Sequence, residues 1–148
     1  MAGIAGQRVE SYRQMTEEEL EAEGWDEYLS HTPPNVFELE NGVLLYPSRD
    51  SEGNGPGAWT NVPNDIEGQT IVRISPVSEE SLTRIGWTPL APIRETVTAI
   101  VFDGVSGGVA PKMDPEGNGP GEIFGLDGED AFMLHAQDPD EERTPIFD

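Results

Sequence analysis

One octapeptide occurs twice in this chain, and the repetition constrains the fold more than any other feature. Asp50-Ser51-Glu52-Gly53-Asn54-Gly55-Pro56-Gly57 returns as Asp114-Pro115-Glu116-Gly117-Asn118-Gly119-Pro120-Gly121, 64 residues later, with seven of the eight positions identical. Upstream the chain repeats at an offset of 62. Gly6-Gln7 recurs as Gly68-Gln69, Thr16-Glu17-Glu18 as Ser78-Glu79-Glu80, Leu20 as Leu82, Gly24-Trp25 as Gly86-Trp87 and Asn41-Gly42 as Asp103-Gly104. Self-similarity at a fixed period means that one supersecondary unit is built twice.

Each unit reads as a strand, a short helix, a hairpin and a glycine-rich loop. Thr16 with Glu19 three residues on is a capping box, and Ser78 caps the second helix with Glu79 and Glu80 against its dipole. Gly24 and Gly86 stand where a left-handed residue ends a helix, which sets Trp25 against Leu20 and Trp87 against Leu82. Asn41-Gly42 and Asp103-Gly104 predict type I′ hairpin turns joining strands 36–39 to 43–46 and 97–102 to 105–110, with a bulge near Gly107-Gly108. A further strand is expected over 131–135.

A unit of this size buries little apolar area by itself. The expectation is therefore an α+β fold in which two tandem strand-helix-hairpin repeats pack about a pseudo-two-fold axis within one compact domain, as a monomer with internal pseudo-symmetry. Repeat 1 spans 1–62, a linker 63–67, repeat 2 with its extra C-terminal strand 68–136, and an acidic tail 137–148. The tail's Pro139 and its run of carboxylates predict mobility, with Ile146 and Phe147 the residues able to dock.

Composition narrows the function. With 29 acidic and 8 basic residues the formal charge is −21, and the excess is even: −11 over residues 1–67 and −10 over 68–148. Nucleic acid and anionic membranes are bound through Lys and Arg clusters, so direct nucleic-acid binding and membrane attachment are excluded as expectations. Lys112 is the sole lysine. Uniform acidity with almost no Lys resembles the composition of cytoplasmic proteins from salt-in halophiles, in which carboxylates keep the surface hydrated. A DNA mimic is the sharper reading of the same charge. Cysteine is absent, and no apolar run reaches the length of a membrane span or marks a signal peptide, so a cytoplasmic location is expected.

The combination of Gly-Gln before a strand, an acidic helix ending in Gly-Trp, a hairpin, and then Tyr46-Pro47-Ser48-Arg49-Asp50-Ser51-Glu52-Gly53-Asn54-Gly55-Pro56-Gly57 resembles an uncharacterised family of short prokaryotic proteins that carry one such unit. The resemblance implies a tandem duplicate of that unit. It implies no activity. The second copy departs from the pattern, with Lys112-Met113 in place of Ser48-Arg49.

The loops are the candidate site. Asp50, Glu52 and Asn54, and Asp114, Glu116 and Asn118, occupy positions 1, 3 and 5 of a calcium-loop pattern, each set followed by the glycine of position 6. The pattern is incomplete, because position 3 is ordinarily Asp or Asn and position 12 is Asn61 or Gly125 instead of a bidentate Glu. Weak calcium binding is thus the alternative to ordered turns or a recognition surface. A phosphate cradle is disfavoured by the acidic flanks and the missing Lys-Ser/Thr. With two histidines, His31 and His135, no multi-histidine metal centre forms within one chain, and Ser48 has no histidine that repeats with it. The leading expectation is a non-enzymatic acidic interaction module with an unknown protein partner and no cofactor.

Overall fold

The computed structural model describes residues 4–22, 35–47, 58–84, 97–112, 123–127, 130–134 and 144–146. It is mostly antiparallel sheet with two short helices. The elements run β1 (Val9–Gln14), α1 (Glu17–Ala22), β2 (Asn35–Leu39), β3 (Leu44–Pro47), β4 (Ala58–Thr60), β5 (Ile71–Pro76), α2 (Glu79–Arg84), β6 (Thr98–Phe102), β7 (Gly108–Lys112), β8 (Ile123–Asp127) and β9 (Asp130–Leu134). One sheet has the order β1-β2-β3-β8-β9 and the other β4-β7-β6-β5.

The strands show the two-residue period that puts alternate side chains on opposite faces. Phe37, Leu39 and Leu45 from the first sheet meet Ile74, Ile100, Phe102 and Val109 from the second in one central core. Phe37 lies at its middle, with ring centroids 4.8 Å from Tyr12, 4.8 Å from Trp59 and 5.7 Å from Phe102. The interleaved residues form two further clusters. Met15, Val36, Leu44, Tyr46 and Leu126 gather with Phe124 on the first sheet, and Val77, Leu82, Val97, Ala99, Ala110 and Ile146 on the second.

Two strands escaped the sequence reading, and both change sheets. β4, from the first half of the chain, pairs with β7 of the second, and β8, from the second half, pairs with β3 of the first. The sheets are further joined at the Gly-Gln motifs. Gly6 N donates to Ile71 O and Gly68 N to Val9 O, both at 2.8 Å, while Val9 N donates to Gln69 O and Ile71 N to Gln7 O, both at 2.9 Å. Arg8 and Thr70 stand opposite each other as an isolated antiparallel bridge. Gly6 and Gly68 have φ of +87° and +95°, a region that costs glycine nothing, and this explains why the motif carries glycine twice.

The helix starts match the sequence reading. Glu19 N donates to Thr16 Oγ1 (3.2 Å) and Thr16 N to a Glu19 carboxylate oxygen (2.9 Å), a complete capping box, and Ser81 N donates to Ser78 Oγ (3.3 Å). Gly24, Trp25, Gly86 and Trp87 lie outside the described residues, as does any side-chain contact of Leu20.

The hairpin turns differ from expectation. A type I′ turn needs positive φ at both central residues, yet of Asn41 and Gly42 only Gly42 has it (+91°). Gly42 N donates to Leu39 O and Leu39 N to Val43 O, so the loop has three residues and ends in a left-handed glycine. In the second half Gly104 is not left-handed; Gly107 is, at +78°, and the turn occupies 103–107, so that β7 begins at Gly108 instead of residue 105. The ladders also move the match by one: Leu39 faces Val9 as Phe102 faces Ile71, an offset of 63 along β2 and β6. β9 runs from Asp130 to Leu134, one residue earlier than expected.

Segment 63–67 is an ordered turn. Ile66 N donates to Pro63 O (3.3 Å) and the Ile66 side chain is buried in the central core. Thr144 and Ile146 are buried as well.

Candidate functional site

The six candidate ligands, Asp50, Glu52, Asn54, Asp114, Glu116 and Asn118, lie outside the described residues, as do Ser48, His31 and His135. The roots of their loops are described. The first glycine loop leaves the first sheet after Pro47 and joins the second at Ala58; the second leaves the second sheet after Lys112 and joins the first at Ile123. Pro47 faces Ile123 across the β3–β8 ladder, and Ala58 faces Lys112 across β4–β7. The start of each loop is therefore hydrogen-bond neighbour to the end of the other. Both segments, 48–57 and 113–122, contain ten residues. Periodicity gave no hint of this pairing, since it is made by the two short strands that change sheets.

Near these roots Trp59 reaches from β4 to the first sheet, its indole N–H donating to Asn35 O at 2.8 Å, which satisfies the donor of a buried aromatic. Asn35 Nδ2 in turn donates to the Tyr12 hydroxyl at 3.2 Å. Burial pushes the Tyr12 phenol above its ordinary value, and the hydrogen bond to Asn35 opposes that shift.

A second polar constellation was not anticipated. Arg13 grips Glu19 with two parallel bonds, Nη1 to Oε1 and Nη2 to Oε2, both 2.9 Å, while its Nε reaches Glu38 at 3.5 Å. The fork geometry matches a carboxylate. Hydrogen bonding to Arg13 holds the Glu19 carboxyl below its usual range, against desolvation by burial that raises it, and hydrogen bonding to Glu19 raises Arg13. The sequence signal was the Thr16 capping box, which already placed Glu19 at the third position of the helix.

Among the described residues no group of three or more His, Cys, Asp or Glu side chains is placed to hold a metal ion, and no helix is long and apolar enough to cross a membrane. Compared with protein-family models, curated proteins and solved structures, the chain has no match.

Proposed function

We propose that this chain is a small, non-enzymatic, acidic interaction module: an internal duplicate whose halves pack about a pseudo-two-fold axis running through the Arg8–Thr70 bridge. The duplication is supported by bonds that occur in reciprocal pairs, Gly6 with Ile71 and Gly68 with Val9, Val9 with Gln69 and Ile71 with Gln7. An antiparallel contact of a segment with its own repeat is the isologous geometry of a two-fold dimer. The exchange of β4 and β8 extends the same relation to the sheets, and it accords with the resemblance to single-unit proteins.

The observation that carries the functional reading is the division between core and surface. Glu10, Glu17, Glu18, Glu40, Asp65, Glu67, Glu79, Glu80 and Asp103 are all exposed, around a core in which Phe37, Leu39, Leu45, Ile71, Ile100 and Phe102 are buried. A dense scaffold that presents carboxylates in several directions suits recognition of a basic or polar protein surface and survives high salt. Affinity purification of the tagged full chain from its native host tests this. The expected result is a protein partner retained at stoichiometric level; a chain recovered with no protein partner would overturn the reading. Recovery of a nucleic-acid-binding protein that DNA competes away would instead assign the DNA-mimic role.

Calcium binding is the second reading, favoured by the adjacent roots of the two acidic loops. Six ligating side chains from two loops approach the six to eight oxygens that calcium takes, where one loop alone falls short. Millimolar calcium should then raise the melting temperature at matched ionic strength, and Asp50→Asn with Asp114→Asn should remove the effect.

A further inference from the structure

Residues 144–146 sit in a groove on the outer face of the second sheet, beside β5 and α2. Thr144 pairs in parallel with Val77. Thr144 N donates to Pro76 O (2.8 Å) and Thr144 O accepts from Ser78 N (2.9 Å), which adds one step of ladder to the edge strand β5. Pro145 O accepts from Gly108 N (3.2 Å). Ile146 N donates to Ser81 Oγ (2.6 Å), and Ile146 O accepts from Arg84 Nη1 (3.3 Å). The Thr144 hydroxyl meets Ser75 Oγ at 2.7 Å, both groups buried. Pro145, which has no N–H to satisfy, is the exposed residue between two buried ones. The Ile146 side chain is fully enclosed by Val77, Leu82, Val97, Ala99 and Ala110.

On the first sheet the corresponding space holds Met15, Val36, Leu44 and Tyr46, joined by Leu126 and Phe124 of β8. Where the second half has Ser75 and Ser81 holding residues 144 and 146, the first has Arg13 and Glu19, bonded to each other. By the ladder registers, Ala99, Gly108 and Ala110 correspond to Val36, Leu44 and Tyr46. Five positions therefore differ in the direction that opens a groove, each by loss of bulk or of a charge. Even one added carbon would close it: a Cβ on Gly108 would stand 2.7 Å from Ala99 Cβ, 3.2 Å from Thr144 Cγ2 and 3.3 Å from Ile146 Cδ1.

We infer that this groove is a peptide-binding site for an extended segment of the form hydroxyl residue–proline–branched aliphatic, and that Thr144-Pro145-Ile146 is its ligand in cis. Main-chain bonds along β5 supply affinity, while the Ser75 hydroxyl and the Ile146 pocket supply selectivity, the division of labour in strand-addition recognition. The occupant in trans is a segment of a partner protein with the same chemistry, which enters by displacing the chain's own end. Tethering holds the cis ligand at millimolar effective concentration, so the groove discriminates against weak competitors. This inference rests on the interaction-module reading and supplies its docking site.

The test begins with the full chain carrying a specific protease sequence in place of residues 137–142, so that the protein folds with its end attached. After cleavage, a fluorescent peptide of residues 141–148 is titrated against it. The expected result is saturable exchange, with the body retaining its far-UV circular dichroism once the original end has been washed away. A peptide with Ile146→Asp should bind roughly 10–100-fold more weakly, the equilibrium value of one branched aliphatic side chain left in water. The uncleaved chain should bind the parent peptide at least about tenfold more weakly. Loss of the fold on removal of the end, or failure of labelled peptide to exchange, would make residues 144–146 a part of the core and overturn the inference. Equal binding of the Ile146→Asp peptide would overturn it too. Dimers of the concentrated uncleaved chain that dissociate on addition of peptide would make a second copy the occupant and overturn the partner assignment. Excess peptide should also elute the partner captured from the native host; a partner that stays bound upholds the interaction module and removes this groove as its site.

Discussion

The outer faces of the two sheets are built on matching registers and reach opposite solutions. On the first, Val36, Leu44 and Tyr46 fill the surface and Arg13 grips Glu19 across it. On the second, Ala99, Gly108 and Ala110 leave a trough, two serines stand where the ion pair would be, and residues 144–146 lie in it. On the second sheet the buried side chains of Thr144 and Ile146 return part of the volume absent from β6 and β7. The difference teaches that two sheets with matching strand registers can be covered in different ways on their outer faces while both contribute apolar residues to one central core.

Substitutions can break this comparison, and the largest effect is expected at Leu82. It is fully buried in the trough and cannot leave it without unravelling α2, so Leu82→Ala should cost about 2–5 kcal/mol in urea unfolding. A melt within error of the parent would show the outer cluster to be peripheral. Leu44→Ala should cost about 2–4 kcal/mol, because Leu44 is buried with Val36, Tyr46 and Leu126 and its truncation leaves a cavity among them. Gly108→Ala is a different kind of insult. Its Cβ would press on Ala99 of the neighbouring strand, and overpacking of about 1–3 kcal/mol is expected, accompanied by faster amide exchange at Ile146. Unchanged exchange there would separate Gly108 from the docking of the end.

The smallest effect sharpens the comparison through pH. The Glu19 carboxyl is held below its unfolded value by Arg13, so its stabilisation is complete above the unfolded value near 4.5 and is lost as the pH falls through the lower folded one. Since the pair is partly exposed, Glu19→Gln should remove about 0.5–1 kcal/mol at neutral pH, and the difference from the parent should shrink in acid. A difference that stays constant down to pH 3 would mean the carboxylate charge contributes nothing. Ser81→Ala, at the matching position of the second half, should show no such acid dependence.

Much of the scaffold was legible from the residues. Both helix starts and most strands followed from motifs that act over a few positions: Thr16 and Glu19 satisfy each other's backbone amides, and apolar runs on either side of Asn41-Gly42 and Asp103-Gly104 mark the strands that those turns join. The turns were less legible. Asn41-Gly42 and Asp103-Gly104 both favour positive φ, but the strand registers on either side decide how many residues must bridge the gap, and they chose Gly42 alone and Gly107. Of the candidate site, the sequence identified the loop residues, whose own placement lies outside the described residues, and gave no sign that their roots are paired.

The sequence by itself determined what is local: a unit written twice, capped helices, a strongly acidic surface and glycines at positions 6 and 68 whose left-handed backbone L side chains rarely adopt. The tertiary structure decided which strand joins which sheet. β4 and β8 are three and five residues long and carry no signal of their partners, because strand pairing is settled by hydrogen bonds and side-chain contacts between residues more than forty positions apart. The same holds for Ile146. Its apolar side chain beside a run of carboxylates says only that it can be buried, and the place of burial exists because Ala99, Gly108 and Ala110, distant in sequence, are small on the same face of one sheet.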